Sequence, residues 1–343
     1  MKGLVRNGNN IELRDLPTPK LINPDDAIVK VTYSSVCTSD FHIKNGFVPR
    51  ANNNIVLGHE FVGEIVELGS NIKNLTIGQR VAANCITFCG ECFYCKKGFI
   101  NNCENGGWEL GCRIDGCQAE YIRVPFAKTG LTPIPENVSY TQALFTGDIL
   151  SSGYFGVELC DIKPNENIAI IGCGPVGLCA MKCARLFTKG KIFAIDIDSN
   201  RLEIVQTNKL ADIFINPLKE NINEIIKAYT DNHGADNVIE AAGTKESFKT
   251  AWEIARANAT LAIVAMYEEN LELPLPNMYG KNLIFKTGGV DAIHCKKLLQ
   301  LISNGELSTD FLISKTFKLD NILEAYEYFE NKTNNCLKVA IQH

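Results

Sequence analysis

No window of this chain approaches the apolar run that a membrane span needs. Its opening stretch, MKGLVRNGNNIELRDLPTPK, holds no apolar core of signal-peptide length. These two absences make the cytoplasm the expected compartment, with no membrane partner. Charge is equally short of extremes. The 34 basic and 39 acidic residues leave a net −5 at neutral pH and are mixed along the chain. No basic stripe invites a nucleic acid, and no block of like charge suggests a tail. Internal repeats and low-complexity segments are missing too. What remains is an ordinary globular composition, 45% apolar and 21% charged. At 343 residues the chain exceeds one typical domain, so two are expected.

Cysteine, by contrast, is plentiful at 14 residues. Four of them crowd into CGECFYCKKGFINNC, at C-x2-C-x2-C-x7-C spacing: Cys89, Cys92, Cys95 and Cys103. A disulfide staple, a redox centre, an iron–sulfur site and a metal clip all fit the bare pattern. A reducing compartment disfavours structural disulfides, which moves the balance toward metal binding. The scattered Cys112, Cys117, Cys160, Cys179, Cys183, Cys295 and Cys336 read as small buried hydrophobes.

Two textures divide the chain. Residues 1–150 hold short strand-like runs cut by glycine turns, such as DAIVKVTYSS, IVLGHEFVGEIVELG and GQRVAANC. They predict a compact, mostly β domain. From 151 to 289 short apolar strands (NIAIIG, KIFAID, ADIFIN, DNVIEAAG, ATLAIVAM) alternate with helical stretches such as LCAMKCARLF and ENINEIIKAYT. That alternation predicts an α/β doubly wound parallel sheet of the Rossmann kind. Residues 290–343 return to helices (CKKLLQLISNGEL, NILEAYEYFENK) and a last strand, CLKVAIQH.

The second texture carries Gly172-Cys173-Gly174-Pro175-Val176-Gly177, placed between a strand and a helix. Such glycines allow a tight turn and let backbone approach a pyrophosphate at the positive end of the helix. Asp196 closes the next strand run, nineteen residues past Gly177. A carboxylate there accepts hydrogen bonds from both adenosine ribose hydroxyls and repels a 2′-phosphate, so NAD is expected over NADP. In the first texture Cys37 sits in VCTSDFH and His59 in GHE, a thiolate and an imidazole suited to zinc. A catalytic site needs a third protein ligand and an open position. Asp148, in TGDILSSG, is the best candidate for the third.

VCTSDFH, GHEFVGEIVELG, GQRV, the four-cysteine loop, GDILSSGYFG, GCGPVG and the acidic end of KIFAID follow one another in an order that resembles the zinc-dependent medium-chain alcohol dehydrogenases over essentially the whole length. The resemblance implies a GroES-like catalytic domain (1–150, completed by 290–343) with an inserted Rossmann domain (151–289). It implies two zinc ions, a structural one on Cys89, Cys92, Cys95 and Cys103 and a catalytic one on Cys37, His59 and Asp148. Glu60 matches an interchangeable fourth ligand, and Asp40 a carboxylate that orients the ligating imidazole. Ser39 and His42 match a proton relay. Arg201 matches a basic residue near the adenosine ribose, Ser152 a hydroxyl packing on nicotinamide, and Lys338 a cation pairing with pyrophosphate.

Aspartate as third ligand resembles the bacterial secondary alcohol dehydrogenases, and Cys85, Ile86, Trp108 and Tyr267 correspond to their pocket-lining positions. That correspondence implies hydride transfer between a small or medium apolar secondary alcohol and NAD+, yielding a ketone or aldehyde. The alternative is a polyol dehydrogenase of the sorbitol or threonine type, whose members usually carry glutamate where Asp148 stands. Relatives of this length are often homo-oligomers, dimers or tetramers.

Overall fold

A computed structural model describes residues 1–343. The chain divides into two compact units, Met1–Ser151 together with Asp291–His343, and Ser152–Val290.

The first unit is built on a seven-stranded sheet. Its strands run in the order Ile313–Lys318, Lys338–Gln342, Ala27–Val36, Phe61–Leu68, Arg80–Ala83 and Leu131–Pro133, while Tyr121–Val124 pairs separately with Ala27–Val36. Ala27–Val36 is the hub, antiparallel to Lys338–Gln342, Phe61–Leu68 and Tyr121–Val124. A smaller sheet, Asn10–Asp15, Lys2–Asn7 and Ile55–Val56, starts from an N-terminal hairpin. One core packs Val29, Val31, Phe61, Ile65, Val81 and Ile122; a second joins Phe41, Ile43 and Leu57 to Ile322, Tyr326 and Val339. The second core therefore contains the returning C-terminal segment.

The other unit is a six-stranded parallel sheet in the order Ile213–Ile215, Ile192–Ile195, Ile168–Ile171, Ala235–Glu240, Ala255–Ile263 and Ile284–Thr287. The central strands IAII and IFAI are buried at every position. That is the continuous apolar signature of a parallel strand covered on both faces. Five of the six strands correspond to expected runs. The sixth, Ile284–Thr287, is an edge strand with both end residues exposed and the middle two only partly buried, and carries no such signature.

A turn after Ala143 sets up the segment that delivers Asp148. Gly147 lies so close to the strand Arg80–Ala83 that a Cβ built on it would sit 1.7 Å from the Ala83 carbonyl oxygen. The Gly147 carbonyl in turn accepts from the Cys85 N–H at 3.1 Å. Only glycine permits this approach. Gly147→Ala should cost on the order of 3 kcal/mol through backbone displacement. Gly174→Ala, whose Cβ meets nothing within 4 Å, should cost under about 1 kcal/mol. Urea-unfolding midpoints of the two variants check the contrast.

Candidate active site

Helix Thr38–Lys44 opens at Cys37. The Cys37 N–H donates to Asp40 Oδ2 at 2.9 Å, an aspartate three residues into the helix reaching back over its N-terminus. This bond anchors the Cys37 backbone where the hub strand Ala27–Val36 ends. His59 lies in the turn before Phe61–Leu68, after Gly58 with φ +94°. Asp148 precedes helix Ile149–Cys160.

Folding brings the three together. Cys37 Sγ is 3.9 Å from Asp148 Oδ2, His59 Nε2 is 3.1 Å from the same oxygen, and all three donor atoms lie within 4.8 Å of one another. Tetrahedral zinc with ordinary bond lengths would set about 3.6 Å between sulfur and oxygen and about 3.4 Å between nitrogen and oxygen. The residues therefore fit a tetrahedral ion, with one corner left over. All three are largely buried, at 9%, 4% and 7% exposure.

The electrostatics fit a cation as well. Burial alone would lower the His59 pKa. Hydrogen bonds to Asp148, Asp40 and Cys37 outweigh it and hold the imidazole well above its ordinary value. Positive charge is stabilised at this spot. Burial pushes Asp148 up, but His59 and Lys338 outweigh that and leave it below the usual carboxylate range. Burial and the Asp148 charge hold the neighbouring Cys85 thiol well above its ordinary value, so Cys85 stays neutral. It adds no fourth anionic donor.

Around this set, Asp40 Oδ1 lies 3.5 Å from His59 Nδ1. Ser39 Oγ is 3.3 Å from His59 Nε2. His42 sits in the last turn of the same short helix, half-buried, with its ring edge-on to Phe47. Trp108 packs edge-on to His59, ring centroids 5.9 Å apart. Cys85 and Ile86 are buried at 2% and 7% exposure.

Three expected roles are altered by the geometry. Glu60 does not join the donor set: its Oε2 is 2.7 Å from Lys338 Nζ and its Oε1 accepts from the Ile149 N–H at 3.1 Å. Lys338, expected to pair with a pyrophosphate, is only 1% exposed, and its partner is Glu60. Its place at the start of the inner strand Lys338–Gln342 buries the side chain. Tyr267, expected to line a substrate pocket, packs on the core of the other unit, and its hydroxyl donates to the buried Glu240.

The four-cysteine loop forms a second cluster. Cys89 Sγ lies 4.0 Å from Cys95 Sγ and 3.6 Å from Cys103 Sγ, and Cys92 Sγ lies 4.0 Å from Cys103 Sγ. None is a disulfide. The edge of a tetrahedral zinc–thiolate site is about 3.8 Å. N–H groups already point at the sulfurs: Cys92 N to Cys89, Cys89 N to Cys103 and Asn105 N to Cys103, at 3.3–3.4 Å. Burial opposes ionisation of Cys89, but the backbone at Glu91 and Cys92 and the Asn105 side chain outweigh it, and the thiol is lowered to about 6. Backbone hydrogen bonds at Cys95 and Glu104 lower Cys92 as well, while burial pushes Cys103 up and Cys95 up to about 12, so the loop favours thiolates at Cys89 and Cys92.

In the second unit Gly172 has φ +94°, and a Cβ on Gly177 would sit 1.8 Å from the Gly172 carbonyl oxygen. Helix Pro175–Ala184 thus packs directly on the turn, with Pro175 at its first position and Val176 next. Asp196 follows the strand Ile192–Ile195; its Oδ2 accepts from the Cys173 N–H at 2.7 Å and its Oδ1 from the Asp198 N–H at 2.8 Å. Arg201 stands in the first turn of helix Ser199–Thr207, and Ser152 is half-buried in helix Ile149–Cys160.

Residues 23–136 match the alcohol dehydrogenase GroES-like domain, and residues 175–304 match the zinc-binding dehydrogenase domain. An alcohol dehydrogenase of Cupriavidus necator is 33% identical, covering 97% of this chain and 95% of the relative. Among solved structures, the alcohol dehydrogenase TADH from Thermus sp. ATN1 has a TM-score of 0.92 at 33% identity and covers 100% of this chain and 99% of its own. The apo form of zinc dependent alcohol dehydrogenase 2 from Streptococcus pneumonia has a TM-score of 0.93 at 33% identity, covering 100% of this chain and 98% of its own. Two domain matches in order and end-to-end likeness at a third of all positions place the chain in the zinc-dependent medium-chain alcohol dehydrogenase family, and make it a zinc-dependent alcohol oxidoreductase.

Proposed function

We propose that the chain moves hydride between a secondary alcohol and NAD+, at a zinc site held by Cys37, His59 and Asp148. The observation that carries this reading is the donor triangle with one open corner, with the buried, neutral Cys85 thiol beside Asp148. When bound, zinc supplies the Lewis acidity that lowers the pKa of an alcohol hydroxyl, and NAD+ accepts the hydride. The protein's own share is positional. Two anionic donors and a neutral imidazole hold the metal while leaving room for one substrate oxygen. Asp40 keeps the His59 ring oriented through Nδ1. Ser39, beside His59 Nε2, takes the released proton and passes it toward His42. Trp108, edge-on to His59 with centroids 5.9 Å apart, and the buried Cys85 and Ile86 support a small or medium apolar alcohol as the substrate.

The four-cysteine loop is read as a closed structural zinc site with no place for substrate. NAD is preferred because Asp196 stands beside the glycine turn, bonded to the Cys173 N–H. A 2′-phosphate would meet that carboxylate as a like charge. Self-association is part of the same reading. Edge strand Ile284–Thr287 leaves one side of the parallel sheet unpaired. Leu273, Leu275, Tyr279 and Ile284 near it are exposed, the last three at 64%, 94% and 50%.

Protein purified without chelator should carry about two zinc ions per chain, one for each ligand set. Cys92→Ser should remove one zinc and much of the thermal stability while Cys37, His59 and Asp148 keep the other. Elemental analysis beside a melting curve reads both, and a variant that keeps both ions shows that the loop is no metal clip.

The wild type should use NAD+ at least about 100-fold more efficiently than NADP+, a few kcal/mol of like-charge repulsion. Asp196→Gly should narrow that gap mainly by raising NADP+ efficiency. Initial rates of NADH and NADPH formation over a panel of secondary alcohols and polyols decide it. Equal use of the two cofactors by the wild type contradicts the role of Asp196.

Asp148→Asn keeps size and one oxygen donor but loses the anion. Turnover should fall by about 100-fold or more, with weaker zinc retention, while NADH still binds with native affinity by fluorescence titration. Normal turnover with full zinc shows that Asp148 is not a ligand.

A further inference from the structure

Behind His59 runs a buried chain of polar side chains of which the reaction as described uses only Asp40. Tyr326, in helix Ile322–Glu330, donates its hydroxyl to Gln118 Oε1 at 2.7 Å. Gln118 Nε2 donates to Asp40 Oδ2 at 3.1 Å and to the Ser35 carbonyl at 3.3 Å. Asp40 Oδ1 faces His59 Nδ1. Tyr326, Gln118, Asp40 and His59 are 2%, 0%, 0% and 4% exposed. Direct hydrogen bonds join Tyr326, Gln118 and Asp40, and Asp40 Oδ1 stands 3.5 Å from His59 Nδ1 with neither atom hydrogen-bonded elsewhere.

The direction of the chain follows from its donors and acceptors. Asp40 is an acceptor only, and so is the Ser35 carbonyl; both need the Gln118 amide nitrogen on their side. A flipped amide would point Oε1 at two acceptors. The amide oxygen is thereby turned toward Tyr326. Burial and the Asp40 charge raise the Tyr326 pKa well above its ordinary value, so the phenol keeps the proton it donates. Gln118 cannot swing away, because Gly58 is packed against it: a Cβ on Gly58 would meet Gln118 Cγ at 2.7 Å. The tyrosine ring is fixed as well, 5.1 Å from Phe41 on the helix that Cys37 opens.

Asp40 has more to do than a lone carboxylate can do freely. Its Oδ2 already serves the Cys37 N–H, so the same oxygen ties the backbone of one zinc ligand while its partner oxygen faces the imidazole of another. Without the Gln118 amide, rotation of the carboxylate would exchange these tasks. We propose that Gln118 and Tyr326 are positioning residues that lock the Asp40 carboxylate against His59, and through it set how tightly and in what geometry the catalytic metal is held. This rests on the reading of Cys37, His59 and Asp148 as the zinc site. It gives the C-terminal helix a direct purchase on the metal centre within its own unit.

The test compares full-length wild type, Tyr326→Phe, Gln118→Glu and Cys37→Ser, each purified with its zinc. Tyr326→Phe removes one oxygen and keeps the ring that packs on Phe41. Gln118→Glu keeps shape and sets a second carboxylate against Asp40. Zinc release into a chromogenic chelator is followed in time, the fraction absent in Cys37→Ser being the catalytic ion. Release from that fraction should be about 10-fold faster in Tyr326→Phe and about 100-fold faster in Gln118→Glu, the range expected for partners of ligating residues. The visible bands of the cobalt-exchanged protein should shift in both, and the melting temperature of Tyr326→Phe should stay near the wild type. A melting temperature that falls while release and cobalt bands stay at wild-type values makes the chain a packing feature and overturns the proposal. If Gln118→Glu does not fold, Tyr326→Phe alone decides between these results. A wild type whose zinc release matches Cys37→Ser overturns the zinc reading itself, and this inference with it.

Discussion

Buried negative charge is the constraint on which the first unit is organised. Asp40, Glu60 and Asp148 are all at or below 7% exposure, with the Cys37 thiol among them at 9%. Each carboxylate taken out of water carries a penalty of several kcal/mol unless it is paired and hydrogen-bonded. The protein answers each one differently. Glu60 receives the buried Lys338 ammonium and a backbone N–H. Asp40 receives the Cys37 N–H and the Gln118 amide. Asp148 has His59 at 3.1 Å, the Cys37 thiol at 3.9 Å, the Cys85 thiol and the more distant field of Lys338. The balance is left negative where the three donors converge, and a divalent cation is the group that closes it. The surroundings that raise His59 above its ordinary value express the same demand for positive charge.

The two donor clusters differ in what they leave unfilled, and that difference separates structure from chemistry. Four sulfurs within 4.8 Å of one another, three of the pairs at 3.6–4.0 Å, supply all four corners of a tetrahedron. Their loop has almost no core: Phe93, Tyr94 and Phe99 are 58%, 39% and 55% exposed, and Ile100 alone is fully buried. A metal there replaces apolar burial as the source of order. Cys37, His59 and Asp148 are instead themselves largely buried, each held next to a strand or helix end of the unit's own scaffold. They supply three corners, and the fourth is free to exchange. A rigid scaffold with an incomplete coordination shell is the requirement for Lewis-acid chemistry.

Local pattern made the parallel sheet legible. IAII and IFAI are apolar at every position because both faces of those strands are covered, and the glycine turn between strand and helix has a steric reason at Gly172 and Gly177 that spacing alone reveals. Strand Ile284–Thr287 escaped because an edge strand with half-exposed positions has no such run. The candidate metal donors were legible because thiol, imidazole and carboxylate are chemically conspicuous wherever they occur. Their supporting partners were not. Gln118 lies 78 residues from Asp40 and 208 from Tyr326, and nothing in GCQAEY or EAYEYF marks either as polar groups facing a common interior. Lys338 shows the same limit: a lysine in a short strand reads as surface or ligand contact until the sheet order places it inside. The pairing of Tyr267 with Glu240, at the end of strand Ala235–Glu240, is hidden in the sequence for the same reason.

Those long separations explain why the first unit needs both ends of the chain. The strand Lys338–Gln342 lies between Ile313–Lys318 and the hub Ala27–Val36, so without it the hub would expose a row of unpaired backbone groups. The same strand carries Lys338 to Glu60, and the preceding helix carries Tyr326 to Gln118. Residues 1–151 alone would therefore have an open sheet edge, an uncompensated Glu60 and an Asp40 whose amide partner had lost its own support. Splitting the unit around Ser152–Val290 makes its polar interior depend on the returning segment Asp291–His343. Tertiary order at the donor triangle, rather than the presence of its three residues, is what the C-terminus completes.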